Sequence, residues 1–302
     1  MAEHQSTRRL TRLVREKAPH RLMLLLRRLI DLWGRMTSTW RLQPSFLIVG
    51  AQRAGTTTLY RVLSDHPAVA RPTVSKGIAY FDIANDLGPR WYRGHFPLRW
   101  RARRRHGPDV VTFESSGYYL FHPLAAGRIA RELPGVKVVV MVREPVERAY
   151  SAHRHEMARG YETEPFEVAL ELEPERIAGE AERIVADPTY KSFHLRHHAY
   201  LARSRYCEQI ERFIAELGPD RVYIVDADAF FQDPAAEFEP LRSWLGLPPW
   251  QPEKVERWNA RPRSPMPAEL RARLERYFEP YDARLAEQMG RVPSWRVSAG
   301  ED

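Results

Sequence analysis

The stretch "SFLIVGAQRAGTTTLYRVLSDHP", residues 45–67, decides the fold. "SFLIV" is a short apolar run typical of a buried strand, and "TTTLYRVLSD" carries its apolar residues at helical spacing until His66 and Pro67 end the pattern. Between them, Gly50 and Gly55 bracket a turn with the glycine spacing of a phosphate-binding loop. The sequence therefore predicts a strand, an anion-binding loop and a helix in succession.

The loop departs from the nucleotide triphosphatase pattern, because Thr56 occupies the position at which such loops carry lysine. No apolar strand that ends in a clear magnesium-binding aspartate stands out either, so magnesium triphosphate is a less favoured ligand. Arg53 supplies positive charge instead and could neutralise a leaving oxygen. The predicted phosphate-binding residues are Arg53, Ala54, Gly55, Thr56, Thr57 and Thr58, through backbone amides and hydroxyl groups.

Three further strands are predicted at residues 109–113, 137–142 and 221–225, with helical segments between them. The alternation predicts an α/β fold, a three-layer P-loop-like domain with a mainly parallel central sheet. The acidic segment 162–187 is predicted to be an excursion on the surface.

A second candidate site follows the most apolar of these strands. Arg143 directly follows "KVVVMV", and Ser151 lies eight residues later in the next predicted helix. Both can reach the carboxyl edge of the sheet, where open α/β sheets bind ligands. An arginine and a serine there suit a second phosphate, so the two motifs predict one nucleotide with two separate phosphate groups.

Composition limits the partners, metal sites and cellular locations that are expected. The chain has 302 residues, a net charge of +8 and a pI near 9.7, which favours anionic partners. Cys207 is the single cysteine, so a disulfide framework and a multi-cysteine metal site are excluded, and we expect a cytoplasmic location and no metal. No nucleic-acid recognition motif is present, so nucleic acid is not an expected partner.

The first 43 residues are predicted to form a basic amphipathic arm, ahead of a main domain at residues 44–297. Its segment "RLMLLLRRLIDLWGRM" is interrupted by Arg27, Arg28 and Asp31, so it predicts an amphipathic helix and not a membrane span. Two interpretations stay open: the helix packs on the body, or it makes peripheral contact with an anionic membrane.

The two motifs, in this order, resemble those of bacterial sulfotransferases that use 3′-phosphoadenylyl sulfate (PAPS) and are similar to the heparan sulfate N- and O-sulfotransferases. The resemblance covers about residues 45–295 and includes "ESSGYYLFHP" and "NARPRSPMP". It implies PAPS as co-substrate, no metal, and an anionic or carbohydrate-like acceptor that is attacked in line. Residues 53–58 would then hold the 5′-phosphosulfate, and Arg143 and Ser151 the 3′-phosphate. Tyr206 would lie beside the donor, and a loop with Arg261, Pro262 and Arg263 would close over it.

The sequence departs from that family at the residue that accepts the acceptor's proton. The family's Lys-Glu-x-His-Phe-Phe pattern appears here as "SKGIAYFD", with Lys76 kept and Gly77 in place of the glutamate. We expect Arg53, Lys76 and Glu114 to be the catalytic residues. Either the acceptor needs little help from a base, or another residue serves, with Glu114, Asp82 and His122 as candidates. Two alternatives remain: an ATP-dependent small-molecule kinase, and a donor-binding protein with weak or no transfer. The acceptor's identity and the oligomeric state cannot be read from the sequence.

Overall fold

A parallel sheet of five strands lies at the centre of the computed structural model, which describes residues 20–252, 255 and 266–297. The strands are β1 (Phe46–Gly50), β2 (Val69–Ala70), β3 (Val111–Ser115), β4 (Lys137–Val142) and β5 (Val222–Asp226), in the spatial order β2-β3-β1-β4-β5. The helices are α1 (His20–Met36), α2 (Thr56–Asp65), α3 (Pro89–Arg93), α4 (Arg99–His106), α5 (Ala125–Glu132), α6 (Pro145–Arg159), α7 (Phe166–Ile177), α8 (Glu180–Ala186), α9 (Phe193–His197), α10 (Tyr206–Leu217), α11 (Ala227–Gln232), α12 (Pro234–Leu245), α13 (Ala268–Met289) and α14 (Ser294–Val297).

The central strands are buried on both faces. Every residue of β1 is buried, and so is every residue of β4 after Lys137. Because successive side chains of a strand point to opposite faces, helices must cover both sides of the sheet. The predicted three-layer parallel α/β fold is confirmed. The sequence missed β2, which is only two residues long and carries no periodic pattern.

The strand order places the predicted loop at the sheet's switch point. β1 lies in the middle, with β3 on one side and β4 on the other, and all of its pairings are parallel. In such sheets ligands bind outside the carboxyl ends of the strands, where the order reverses. The turn at residues 51–55, between β1 and α2, lies at this edge.

The prediction that the acidic segment 162–187 is a surface excursion is wrong. Phe166, Ala169 and Leu170 of α7 pack in a second hydrophobic cluster with residues of α6 and α13. Buried Glu173 accepts hydrogen bonds from the backbone amides of Leu201 and Ala202 at 2.7 and 2.8 Å. The carboxylates of this segment therefore fix neighbouring backbone, a role that composition alone does not reveal.

The predicted N-terminal helix is confirmed, and α1 contacts the body near its last turn. A Cβ atom on Gly34 would lie 3.1 Å from the Cα atom of Gly94, so the two backbones nearly touch. Beyond the helix, buried Arg41 donates to the carbonyl of Phe96 at 2.6 Å and to Thr37 at 2.8 Å. Among the described residues, no helix is long and apolar enough to cross a membrane.

We predict that Gly50→Ala destabilises the fold, because its Cβ atom would lie 2.6 Å from the Cβ atom of buried Leu120. Overpacking against an atom that cannot rotate away costs roughly 1–3 kcal/mol of unfolding free energy. Gly117→Ala at the same edge is the matched control, since its new Cβ would meet Gln52 at an ordinary 3.4 Å. Urea denaturation measures both, and equal losses in the two variants would contradict the close approach at Gly50.

Candidate active site

The loop after β1 ends at Gly55, which caps α2 with a φ of +96°. A left-handed φ favours glycine, and a Cβ atom here would lie 2.9 Å from the ring of Phe231. The first amides of a helix have no partners within the helix, so α2 opens as an anion site. The Ala54 amide already donates to the carbonyl of Ala51 at 3.2 Å and closes the turn.

Arg53 connects the two predicted phosphate motifs. It adopts a φ of +74°, an uncommon conformation for a residue with a side chain that recurs at functional sites. Its Nε donates to Ser151 Oγ on α6 at 3.2 Å. Ser151 is 98 residues away along the chain, so the fold brings both motifs to one place at the carboxyl edge.

Lys76 supplies in space the amine that the loop lacks at position 56. Its Nζ donates to the hydroxyls of Thr57 at 3.0 Å and Thr56 at 3.3 Å. Burial, together with the positive charge of nearby Arg61, lowers the pKa of Lys76 to about 8. A partly buried ammonium group on the loop hydroxyls can pair with an anion bound there.

Glu114 is fully buried and accepts hydrogen bonds from four donors. The hydroxyls of Tyr119 and Ser116 donate at 2.7 Å each, Tyr92 at 3.4 Å, and the backbone amide of Ile78 at 3.2 Å. Burial raises the pKa of Glu114 to about 7, although the Tyr119 and Ser116 bonds act against the rise. Its oxygens are occupied, which suits a group that holds residues 76–82 in place better than one that meets an acceptor.

Arg143 and Tyr206, both predicted to contact the nucleotide, contact each other in the structure. The Tyr206 hydroxyl donates to the backbone carbonyl of Arg143 at 3.0 Å, and Tyr206 is buried. The guanidinium of Arg143 lies 3.6 Å from Glu147 on the first turn of α6. Tyr206 thus supports the backbone of Arg143 from within the core.

A cavity of about 260 Å³ opens beside the loop. Its walls are Gln52, Gly77, Ala79, Asp82, Ile83, Ser116, Gly117, Tyr118, Arg159, Arg196, His197 and Arg203. Burial raises the pKa of Asp82 to about 6, although the Ile83 amide donates to its carboxylate at 2.6 Å. The cavity therefore combines one carboxylate with an arginine-rich wall. His122 is not among its walls, and burial lowers the pKa of His122 to about 3.

The residues that sequence reasoning missed are the cationic walls of this cavity. Arg159 ends α6, Arg196 lies on α9, and Arg203 donates to Gln52 of the loop. No local pattern marks them, because α7 and α8 separate Arg159 from the other two in the sequence. The predicted closing loop, with Asn259, Arg261, Pro262 and Arg263, lies outside the described residues. No cluster of three or more metal-ligating side chains occurs in the part of the chain that the structure describes.

The fold and site define a class, that of parallel α/β proteins with a P-loop-like anion site. A family model described as "Sulfotransferase domain" matches residues 43–261, and the chain belongs to this family. The family predicted from the two motifs is thereby confirmed.

Known relatives are sulfotransferases. Bifunctional heparan sulfate N-deacetylase/N-sulfotransferase 4 of Mus musculus is 26% identical over 88% of this chain and 32% of that protein. Bifunctional heparan sulfate N-deacetylase/N-sulfotransferase 2 of Bos taurus is 30% identical over 73% of this chain and 24% of its own length. The chain thus spans a third or less of these two relatives. A sulfotransferase structure from Alicyclobacillus acidocaldarius aligns with a TM-score of 0.59 and 28% identity, covering 84% of this chain and 99% of that one.

We predict that adenosine 3′,5′-bisphosphate (3′,5′-ADP) binds more weakly as pH rises from 7 to 9.5, because Lys76 loses its proton above its pKa of about 8. The ammonium form attracts the phosphate, so proton loss should raise the Kd by roughly tenfold. Calorimetric titration of wild type and Lys76→Met measures this, with exposed Lys191→Met as control. If the Kd of Lys76→Met depends on pH as that of wild type does, Lys76 does not contact the phosphate.

Proposed function

We propose that the protein transfers a sulfuryl group from PAPS to a hydroxyl or amine of an acceptor. The observation that carries the proposal is the 3.2 Å hydrogen bond between Arg53 and Ser151, which joins a 5′-phosphate loop to a 3′-phosphate motif. A nucleotide with phosphates at both positions suits this site. The absence of a lysine at position 56 agrees with a donor that places one phosphate, and no triphosphate, in the loop.

In the proposed reaction an oxygen or nitrogen of the acceptor attacks sulfur in line. The new S–O or S–N bond forms as the bond between sulfur and the bridging phosphate oxygen breaks, and 3′,5′-ADP leaves with the electron pair. Arg53 and Lys76 would stabilise the negative charge on that oxygen, while Arg143 and Ser151 hold the 3′-phosphate. One hydrogen-bond donor that stabilises charge in this way typically lowers the activation free energy by about 3–4 kcal/mol. The loop of Arg261, Pro262 and Arg263 stays a proposed part of the nucleotide site.

Asp82 is the base that we propose takes the proton from the attacking group of the acceptor. Gly77 has no side chain, Glu114 is occupied by four hydrogen bonds, and the His122 ring lies outside the cavity. Asp82 lines the same cavity as Gly77, and its pKa of about 6 makes it a stronger base than an exposed aspartate. Glu114 would then be a positioning residue that holds the segment between Lys76 and Asp82.

The acceptor is proposed to be an anionic carbohydrate. Arg159, Arg196 and Arg203 give the cavity positive charge that carboxylate or sulfate groups would neutralise. The relatives' names specify heparan sulfate, an anionic glycan, and support the same chemical class for this chain. The reacting sugar unit would enter this cavity, beside Asp82.

The proposal predicts selective stabilisation by 3′,5′-ADP without magnesium. A ligand at about 100 times its Kd stabilises the fold by roughly 2.7 kcal/mol, which a thermal melt detects. We expect Arg143→Ala to weaken 3′,5′-ADP binding at least tenfold and to leave 5′-AMP binding within about twofold, since only the former has a 3′-phosphate. Exposed Arg131→Ala is the control. If ATP with magnesium stabilises the protein and 3′,5′-ADP does not, the result would favour a kinase and overturn the proposal.

The assignment of the base predicts that Asp82→Asn lowers kcat by about a hundredfold or more and leaves the Kd for 3′,5′-ADP unchanged. In wild type, kcat should rise with pH through about 6, as Asp82 loses its proton. Labelled PAPS with de-N-sulfated heparin fragments as probe acceptor measures transfer. The control is Asp86→Asn, an exposed aspartate four residues away. If Glu114→Gln abolishes transfer at unchanged stability while Asp82→Asn does not, the base is Glu114.

A further inference from the structure

Helix α1 presents an apolar face to solvent along its described length. Leu29 and Trp33 are 61% and 56% exposed, values expected of charged surface residues. The exposed apolar side chains on this face are Leu25, Leu26, Leu29, Ile30, Leu32, Trp33 and Met36. At 100° per residue they occupy one continuous side of the helix, so they form a patch and not scattered single residues.

The opposite side of α1 is basic. Arg27, Arg28 and Arg35 lie there, all exposed, with Asp31 as the acidic residue among them. An apolar face with leucine and tryptophan, backed by arginines, is the composition of helices that lie in the plane of a membrane interface.

Helix α4 adds to this positive charge. Arg41 and Leu98 form an antiparallel bridge, and the Leu42 amide donates to the carbonyl of Pro97 at 3.0 Å, so the segment that follows α1 lies beside the start of α4. Exposed Trp40 and Trp100 each lie within two residues of the bridge. The five exposed arginines of α4 are Arg99, Arg101, Arg103, Arg104 and Arg105. Within the described part of the chain, no ion pair neutralises the guanidinium groups of α1 or α4.

We propose that α1 and α4 form a membrane-docking face that binds the surface of an anionic lipid bilayer. The apolar side of α1 would enter the interface, and the arginines of both helices would neutralise lipid headgroups. The same charge argues against a second copy of the chain as the partner, because a symmetric pair would bring like charges together. Buried Arg41 and the Gly34–Gly94 contact hold α1 to the body, so docking would fix the orientation of the whole domain.

The docking face and the active site lie at opposite edges of the sheet. Residues 37–45 run into the amino end of β1, and α4 leads through residues 107–110 into the amino end of β3. The phosphate loop and the acceptor cavity lie at the carboxyl end of the strands. Docking should therefore leave nucleotide binding unaffected, which makes the two properties separately measurable.

The test is co-sedimentation of the full chain with vesicles of phosphatidylcholine alone or with about one third phosphatidylglycerol. We expect at least tenfold stronger partitioning to the anionic vesicles, and a clear loss of binding when salt rises from about 0.1 to 0.5 M. Equal binding to neutral and anionic vesicles, or no binding to either, would overturn the proposal.

Two variants separate docking from folding. Leu29→Glu combined with Trp33→Glu should lower vesicle binding at least tenfold, while Val185→Glu, at a 57% exposed site on α8, should not change it. Melting with 3′,5′-ADP checks folding, and light scattering measures oligomeric state. If the double variant instead converts a dimer into a monomer and wild type ignores vesicles, α1 is a contact between copies of the chain.

Discussion

The buried carboxylate of Glu114 is the constraint on which the arrangement of the site depends. It lies at the carboxyl end of β3 and accepts the backbone amide of Ile78, so the segment that follows Lys76 is tied to the sheet. Three hydroxyl groups complete its hydrogen bonds and offset the cost of its burial. On either side of this contact, Lys76 donates a hydrogen bond to Thr57 of the phosphate loop and Asp82 lines the cavity.

The parts of the molecule that sequence could predict are those whose signal is local. The strand, loop and helix at residues 45–67 show both periodicities and both glycines within one short stretch, and the structure agrees there. The start of α12 is equally local, since Asp233 caps it through the Ala236 amide and Pro234 lies in its first turn, as these residue types favour. The relation of Arg53 to Ser151 could be anticipated only because strand ends in a parallel sheet share an edge.

The parts that sequence could not predict depend on long-range contacts. The sequence marks Lys76 as a candidate catalytic residue, but its contact with the hydroxyls of Thr56 and Thr57 depends on how residues 76–80 pack on β3. Glu114 is a candidate base by sequence, and only the structure shows that its carboxylate oxygens already accept four hydrogen bonds. The arginines of the cavity come from three separate segments, Arg159 from the end of α6, Arg196 from α9 and Arg203 from the turn before α10, and no local pattern in the sequence brings these segments together.

Gly77 has an implication for how this chain could change by mutation. A Cβ atom at this position would lie 2.6 Å from the carbonyl oxygen of Ser115 and 3.1 Å from the hydroxyl of Ser116. The absence of a side chain at position 77 therefore lets two backbone segments approach closely. A glutamate introduced there by mutation would find no room unless these segments moved apart, so the backbone itself excludes a carboxylate at this position. The only acidic side chain that lines this cavity among the described residues is Asp82, and it is compatible with the same backbone.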